Sequence, residues 1–426
     1  METTMVNGVL QLRFDIYQAV ALGAIMYYVG LFIRSKLPIL VKLSIPAPVI
    51  GGLIIAIISL ILQSNKIATF SFDSTLQTVL MTCFFCTVGM NASYRLVIRG
   101  GLMIAAFWAV SGFVAVIQNV VNIPVANAFH LNPLMAIMGG SVPMIGGLGT
   151  SAAFGGLFQN EWGVEGALAA AIACATFGMI AGSLVGGPLG EWLIKTHKLK
   201  TPNQLKKESH YANAALEEAG AMENKLLAQK DEDEEEEHKV TGPHLMKNLA
   251  FVLAATGVGS AVSFYLREAG ITLPGYLGAM VTAIAIRNIG DVSGKYHIDS
   301  KSVGMIGDIS LALFITMAIN ALNLYQLINL ALPLMIMMIL QVSLILLIAY
   351  FLVFRLFGKS YDSAVMASGL CGFGLGATPN ALVCMQAITM KHGPSEKAFF
   401  VVPIVGAFLS DITNAAAITF IGGFLR

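Results

Sequence analysis

The 426-residue sequence predicts an all-α polytopic membrane protein made of two inverted repeats of five transmembrane helices, each with a re-entrant hairpin. Three observations point there. Hydrophobic residues make up 56% of the chain and charged residues 12%, with a mean hydropathy of +0.76; a soluble domain carries about 25% charged residues. The apolar runs fall into two matching series on either side of a hydrophilic stretch. Finally, one run in each series is broken at an equivalent place by glycines and small polar residues: GGLGTSAA (Gly146 to Ala153) and GFGLGATPNA (Gly372 to Ala381). Broken membrane segments at corresponding places of an internal repeat mark the centre of many carriers.

A crossing needs about 20 apolar residues. The first half offers runs at 16–33, 45–63, 74–92, 101–121, 132–158 and 164–194. The second offers 248–266, 271–289, 303–321, 327–354, 363–390 and 398–424. Pro48 and Pro274 stand at the start of each second run. The third runs end alike, in CFFCTVGMNA (Cys83 to Ala92) and ALFITMAINA (Ala312 to Ala321). The fourth run of the second half is bulky and apolar and is expected to face lipid or a partner subunit, whereas the third, fifth and last runs are rich in small residues that let helices pack closely. Much of GMIAGSLVGGPLG (Gly178 to Gly190) therefore reads as packing surface.

Loop charge decides whether the broken fifth runs cross or fold back. Lys and Arg concentrate in cytoplasmic loops. With the N-terminus outside and both fifth runs re-entrant, Arg34, Lys36, Lys42, Arg95, Arg99, Lys195, Arg287, Lys295 and Arg355 all lie inside. A model in which every run crosses exports the first five of them. Five crossings per half follow, and an odd number turns the second repeat upside down, so the hairpins enter from opposite faces. The domains are then 1–195 with a hairpin near 132–158, a charged cytoplasmic linker at 196–246 containing DEDEEEE (Asp231 to Glu237), and 247–426 with a hairpin near 363–390. Both termini are expected outside. With only Arg13 before the first run, no cleavable signal peptide is expected. All five cysteines fall inside apolar runs, and the CxxC at Cys83 and Cys86 lacks a second ligand pair, so neither a disulfide framework nor a metal site is expected.

At the hairpin tips, Gly146, Gly147, Gly149, Gly374 and Gly376 free the backbone to turn, while Thr150, Ser151, Thr378 and Asn380 supply oxygen. Half-helix N-termini suit an anion, and unwound carbonyls suit a hard cation. These nine residues are the candidate substrate site. Ionisable groups inside a bilayer are costly, which singles out Asp411 in the last run, followed by Thr413 and Asn414, as a cation site or a coupled proton site. Asn91 and Asn320, near helix ends, either cap or bind; Asp308, near a helix start, is expected to cap. No Lys or Arg lies deep in a run, so an anion here calls for balance by helix termini and co-bound cations.

Other classes fit less well. Gly374–Gly376 is followed by Ala377 and not by a second aspartate, against an aspartyl intramembrane protease. No GxxxxGK[ST] loop exists for an ATP-driven pump. Two inverted hairpins in one chain suit a carrier better than a channel. No enzyme, cofactor or nucleic-acid partner is expected.

These segments resemble the bacterial sodium/glutamate symporters. The likeness spans nearly the whole chain apart from the linker and is most specific in CGFGLGATPNALVCMQAIT (Cys371 to Thr389), GPSEKAFFVVPIVGAF (Gly393 to Phe408), DITNA (Asp411 to Ala415), ACATFGMIAGSLVGGP (Ala173 to Pro188) and IPAPVIGGL (Ile45 to Leu53). The resemblance implies sodium-coupled uptake of glutamate across a bacterial inner membrane by an elevator-like homodimer, with sodium as coupling ion near Asp411, Thr413, Asn414, Asn91 and Asn320. Two departures bear on the substrate: Leu148 stands where the family's first hairpin has histidine, and Asn380 where threonine is common. The alternative is a sodium- or proton-coupled carrier of another carboxylate, such as citrate or a 2-hydroxycarboxylate.

Overall fold

A computed structural model describes residues 2–6, 9–42, 45–204, 242–268 and 275–426. The acidic run Asp231 to Glu237, most of the linker and Pro274 lie outside the described residues. The chain opens with strands β1 (Glu2–Val6) and β2 (Val9–Phe14), paired antiparallel, and β3 (Ala68–Phe72) adds parallel to β2. The described chain is otherwise helical, in line with the all-α expectation, and this small sheet is an addition to it. Its strands are too short to register as hydropathy runs, and Phe14 stacks on Phe72 with ring centroids 4.8 Å apart.

The first half continues as α1 (Ile16–Lys36), α2 (Ala47–Ser64), α3 (Thr75–Asn91) and α4 (Tyr94–Ala128), the last broken at Gly101, where φ is 54°. A broken segment follows: α5 (Met135–Met138), α6 (Ser141–Met144) and α7 (Gly147–Asn160); α8 (Ala167–Thr196) closes the half. The second half comprises α9 (Gly242–Glu268), α10 (Gly275–Ser293), α11 (Ser300–Asn320) and α12 (Ala331–Ile348), which runs on through a π-helical turn, Ala349–Phe354. The second broken segment is α13 (Tyr361–Gly374) and α14 (Thr378–His392), and α15 (Glu396–Ile404) continues through a π-helical turn, Val405–Leu409, into α16 (Ser410–Leu425).

Local chemistry explains the ends. Asp15 and Gln18 form a reciprocal cap on α1, whose last turn carries Arg34 and Lys36 against the negative end of the helix dipole. Asp299 caps α11; the Ser302 hydroxyl, with the Ser302 and Lys301 N–H groups, holds its carboxyl below the usual carboxylate range. Ser360 and Ser363 cap α13 in the same reciprocal way. Pro403 removes a backbone donor just ahead of the π-helical turn that leads into Asp411.

Among the described residues, seven helices are long and apolar enough to cross a bilayer: Ile16–Lys36, Ala47–Ser64, Gly101–Ala128, Ala167–Thr196, Gly242–Tyr265, Ser300–Asn320 and Ala331–Phe354. The chain is a multi-pass membrane protein. The arms α13 and α14, of 14 and 15 residues, fall short of a crossing, as does α7 with 14.

The helices group into two bodies. In one, α1 packs on α2, α9 on α10, α2 on α11, and α3 on both α10 and α11. Each half thus presents its second helix to the third helix of the other half. Glycines allow it: Gly30 and Gly51 bring the α1 and α2 backbones together, Gly259 and Gly278 do so for α9 and α10, and a Cβ on Gly52 would stand 2.6 Å from Ile319. In the other body, α8 packs on α7, α13 and α14, while α4 packs on α12 and α16. The fourth helices therefore belong with the broken segments: α12 exposes Leu332, Met335 and Ile339 but buries Met337, Gln341 and Ile345. The third helices, expected among the small-residue core, belong to the first body. The two bodies meet mainly where α7 approaches α11 and where Val405–Leu409 approaches α3.

Candidate functional site

The two broken segments touch at their tips. Gly147 has φ +59°, a conformation that disfavours any side chain, and a Cβ there would stand 2.7 Å from the Gly376 carbonyl oxygen. In the second segment the arms fold antiparallel. Gly372 leaves room for Ala381 near the tip, Gly369 for Met385 farther along, and the Tyr361 hydroxyl donates to the Gly393 carbonyl at the base. Helix α8 backs this hairpin with one glycine per turn: Gly182 faces Cys371 and Gly372 of α13, Gly186 faces Cys384 of α14, and Gly190 faces Ile388. The packing role expected for Gly178 to Gly190 is met. At the base, Glu191 of α8 binds Lys391 at 2.7 Å and His392 at 2.6 Å.

Between the two bodies, with the tips in its wall, lies a cavity of about 660 Å³. The tip of the first segment contributes Ile145 to Thr150, and that of the second contributes Ala377 to Asn380. Helices α7 and α14 both begin here, and neither N-terminus has a side-chain cap. Two positive dipole ends therefore lie beside one space, with the Gly147, Leu148 and Gly149 N–H groups at the start of α7 and that of Thr378 at the start of α14, where Pro379 has none and the Asn380 N–H donates to the Ala377 carbonyl. The opposite wall comes from the other body: Phe84, Phe85 and Val88 of α3, Asp308, Leu311 and Ile315 of α11, and Tyr27, Leu31 and Arg34 of α1. Asp411 completes it. Among the described residues no cation pairs with Asp308 or Asp411, and none of the described His, Cys, Asp and Glu side chains gather in threes. A cation held here draws on carboxylates, carbonyls and neutral oxygens.

Of the expected substrate residues, Gly146, Gly147, Gly149, Thr150, Thr378 and Asn380 line the cavity. Asn380 also donates to the Met179 carbonyl at 3.0 Å, which fixes the start of α14 against α8. Ser151 is buried beyond the wall, its hydroxyl unpartnered. Gly374 and Gly376 act behind the tip: the Gly374 carbonyl accepts from Gln118 at 2.8 Å, and Gly376 leaves room for Met179 and Asn380. Leu148 itself faces the cavity.

Of the expected sodium residues, only Asp411 lines the cavity. Thr413 accepts from the Trp108 indole at 2.7 Å and donates to Leu409. Asn414 donates to the Ser141 carbonyl at 3.0 Å, tying α16 to the break before α6. Asn91 and Asn320 close α3 and α11 away from the cavity wall, and the buried Asn320 amide has neither of its polar atoms partnered. Asp308 does not cap α11, since Asp299 does; it stands more than two turns in and faces the cavity. Its place inside an apolar run was the signal for that. Arg34, in the last turn of α1 and not deep in a run, also lines the cavity, and its buried Nε has no partner.

Paired broken helices meeting at a cavity between two helical bodies are the arrangement of a secondary transporter. A family model described as sodium/glutamate symporter matches residues 12–394. A sodium/glutamate symporter of Haemophilus influenzae is 32% identical over 403 residues, covering 95% of this chain and 96% of that protein. One of Escherichia coli is 37% identical over 378 residues, covering 88% and 90%, and that of Shigella flexneri matches to the same extent. The chain belongs to the sodium/glutamate symporter family.

Proposed function

We propose that this chain imports glutamate with sodium across the bacterial inner membrane, holding the substrate in the cavity between the two hairpin tips. The observation that carries this reading is the pair of uncapped helix N-termini, α7 and α14, that open onto one cavity. Their N–H groups receive carboxylate oxygens, Arg34 supplies the cationic side chain, and Asp308 faces the substrate ammonium. Asp411 holds a sodium ion beside the substrate, with a proton site as the other use of the same carboxylate.

Both broken segments are re-entrant hairpins in this reading, entering from opposite faces, and the halves are inverted five-helix repeats. The cross-pairing of second and third helices, and arms too short to cross, support it. The termini lie outside and the linker in the cytoplasm. The body that carries the hairpins slides as a unit against the other, which stays fixed in a homodimer. Sparse contact between the bodies, confined largely to the cavity region, suits such movement.

The relatives favour glutamate over citrate or a 2-hydroxycarboxylate. The test is competition by unlabelled amino acids and dicarboxylates against sodium-driven glutamate uptake. Glutamate is expected to compete strongly and citrate not at all; the reverse order would assign the cavity to another carboxylate.

A further inference from the structure

Behind the hairpin tips, on the side away from the cavity, lies a seam of fully buried amides. Gln118 of α4 donates Nε2 to the Gly374 carbonyl at 2.8 Å. Gln341 of α12 donates Nε2 to the Gln118 carbonyl at 2.7 Å. Asn122, one turn along from Gln118, donates Nδ2 to the Ala136 carbonyl at 3.2 Å. In each case the NH₂ group is committed to a backbone carbonyl, so the amide cannot be turned over without losing that bond. In each case, too, the side-chain oxygen is buried with no partner. Asn414 repeats the pattern on the neighbouring helix.

The helices and the break that carry these amides are packed on one another: the Gln118 main-chain carbonyl that accepts from Gln341 and the Ala136 carbonyl that accepts from Asn122 both face Gly140. A Cβ at Gly139 would meet both Met337, one turn before Gln341, and the Asn122 amide. A buried acceptor left without a partner costs about 1–3 kcal/mol, and repetition at the breaks of both hairpins is costly without a compensating ligand. The atoms offered are neutral oxygens, with their donors turned away, which is the chemistry of a dehydrated hard monovalent cation.

We propose that the seam between α4, α12 and the α5–α6 break is a sodium site, coordinated by the side-chain oxygens of Gln118, Asn122 and Gln341 and separate from Asp411. Sodium there draws in the amides that hold Gly374 and Ala136, and so sets both tips before substrate arrives. The inference rests on the sodium-coupled reading above.

The test is sodium titration against N-methylglucamine at constant ionic strength, without glutamate, on the purified full chain. Thermal stabilisation is read for wild type, Gln341→Met, Gln341→Glu and Asp411→Asn, followed by sodium and glutamate dependence of uptake in proteoliposomes. Gln341→Met is expected to raise half-saturating sodium about tenfold or more, with the glutamate KM at saturating sodium within about twofold of wild type. Gln341→Glu keeps an oxygen and adds charge but gives up the donor to the Gln118 carbonyl, so it is expected to change half-saturating sodium, and it decides the matter should the methionine variant fail to fold. Unchanged half-saturation in the Gln341 variants, or equal losses in sodium and glutamate affinity, would overturn the proposal in favour of buried water or plain packing. If Asp411→Asn alone shifts sodium, the cavity reading stands and the seam falls; if only the Gln341 variants shift it, Asp411 loses its sodium role.

Discussion

Gly147 and Gly376 meet at the point on which the site depends, and each is glycine for a different reason. Gly147 sits at φ +59°, where a side chain costs about 1–2 kcal/mol. Gly376 has ordinary φ, but a Cβ there would stand 2.9 Å from the Met179 backbone. Gly376→Val is expected to abolish uptake while the purified protein stays folded, since only the tip must move; uptake at the wild-type rate would remove this tip from the site. Arg34→Ala is expected to raise the glutamate KM about tenfold or more, with Arg34→Lys recovering only part, because a lysine lacks the planar fork that binds carboxylate. An unchanged KM in both would leave Arg34 a bystander at the cavity edge. Asp411 and the tip glycines were legible in the sequence because a carboxylate or a glycine cluster stands out in an apolar run. Arg34 was not, since its position at a helix end resembles that of any flanking cation. Gln118 and Gln341 were hidden in the same way, as single polar residues whose role appears only once α4 and α12 are packed.

At the scale of elements, α8 shapes the site without lining much of it. Its glycines recur every turn, so the second hairpin lies against backbone, and Glu191 fastens the hairpin base through Lys391 and His392. Gly186→Leu places bulk where a Cβ already stands 2.6 Å from Cys384 Sγ and 3.0 Å from the Ser368 carbonyl. Overpacking of this kind costs about 1–3 kcal/mol. A lowered melting temperature together with lost uptake is expected; a fully stable, active variant would show that the hairpin does not rest on α8. The spacing of these glycines was readable beforehand as packing, whereas the grouping of the fourth helices was not. A bulky apolar helix reads as lipid-facing throughout, yet α12 covers the hairpin with one face and exposes the other.

At the scale of the whole molecule, the cavity lies on the boundary between the two bodies, so movement of one past the other changes the site's walls together. Gly149 of the hairpin body faces Phe84 and Leu311 of the other, with a Cβ there 3.0 Å and 3.3 Å from those side chains. Cysteines at 149 and 311, in a chain lacking the five natural buried cysteines, are expected to crosslink through a short bifunctional maleimide and stop transport. Reaction of each single cysteine with the same reagent gives the loss due to the adduct alone; transport by the crosslinked protein at the level of the singly modified ones would contradict sliding bodies.

A sodium gradient is expected to drive glutamate through this cavity. The most direct measurement is labelled glutamate accumulation in proteoliposomes of the purified chain, under an inward sodium gradient and, separately, an inward proton gradient. Accumulation with sodium that collapses when sodium is equal on both sides is the expected result. Accumulation with the proton gradient and none with sodium would contradict it.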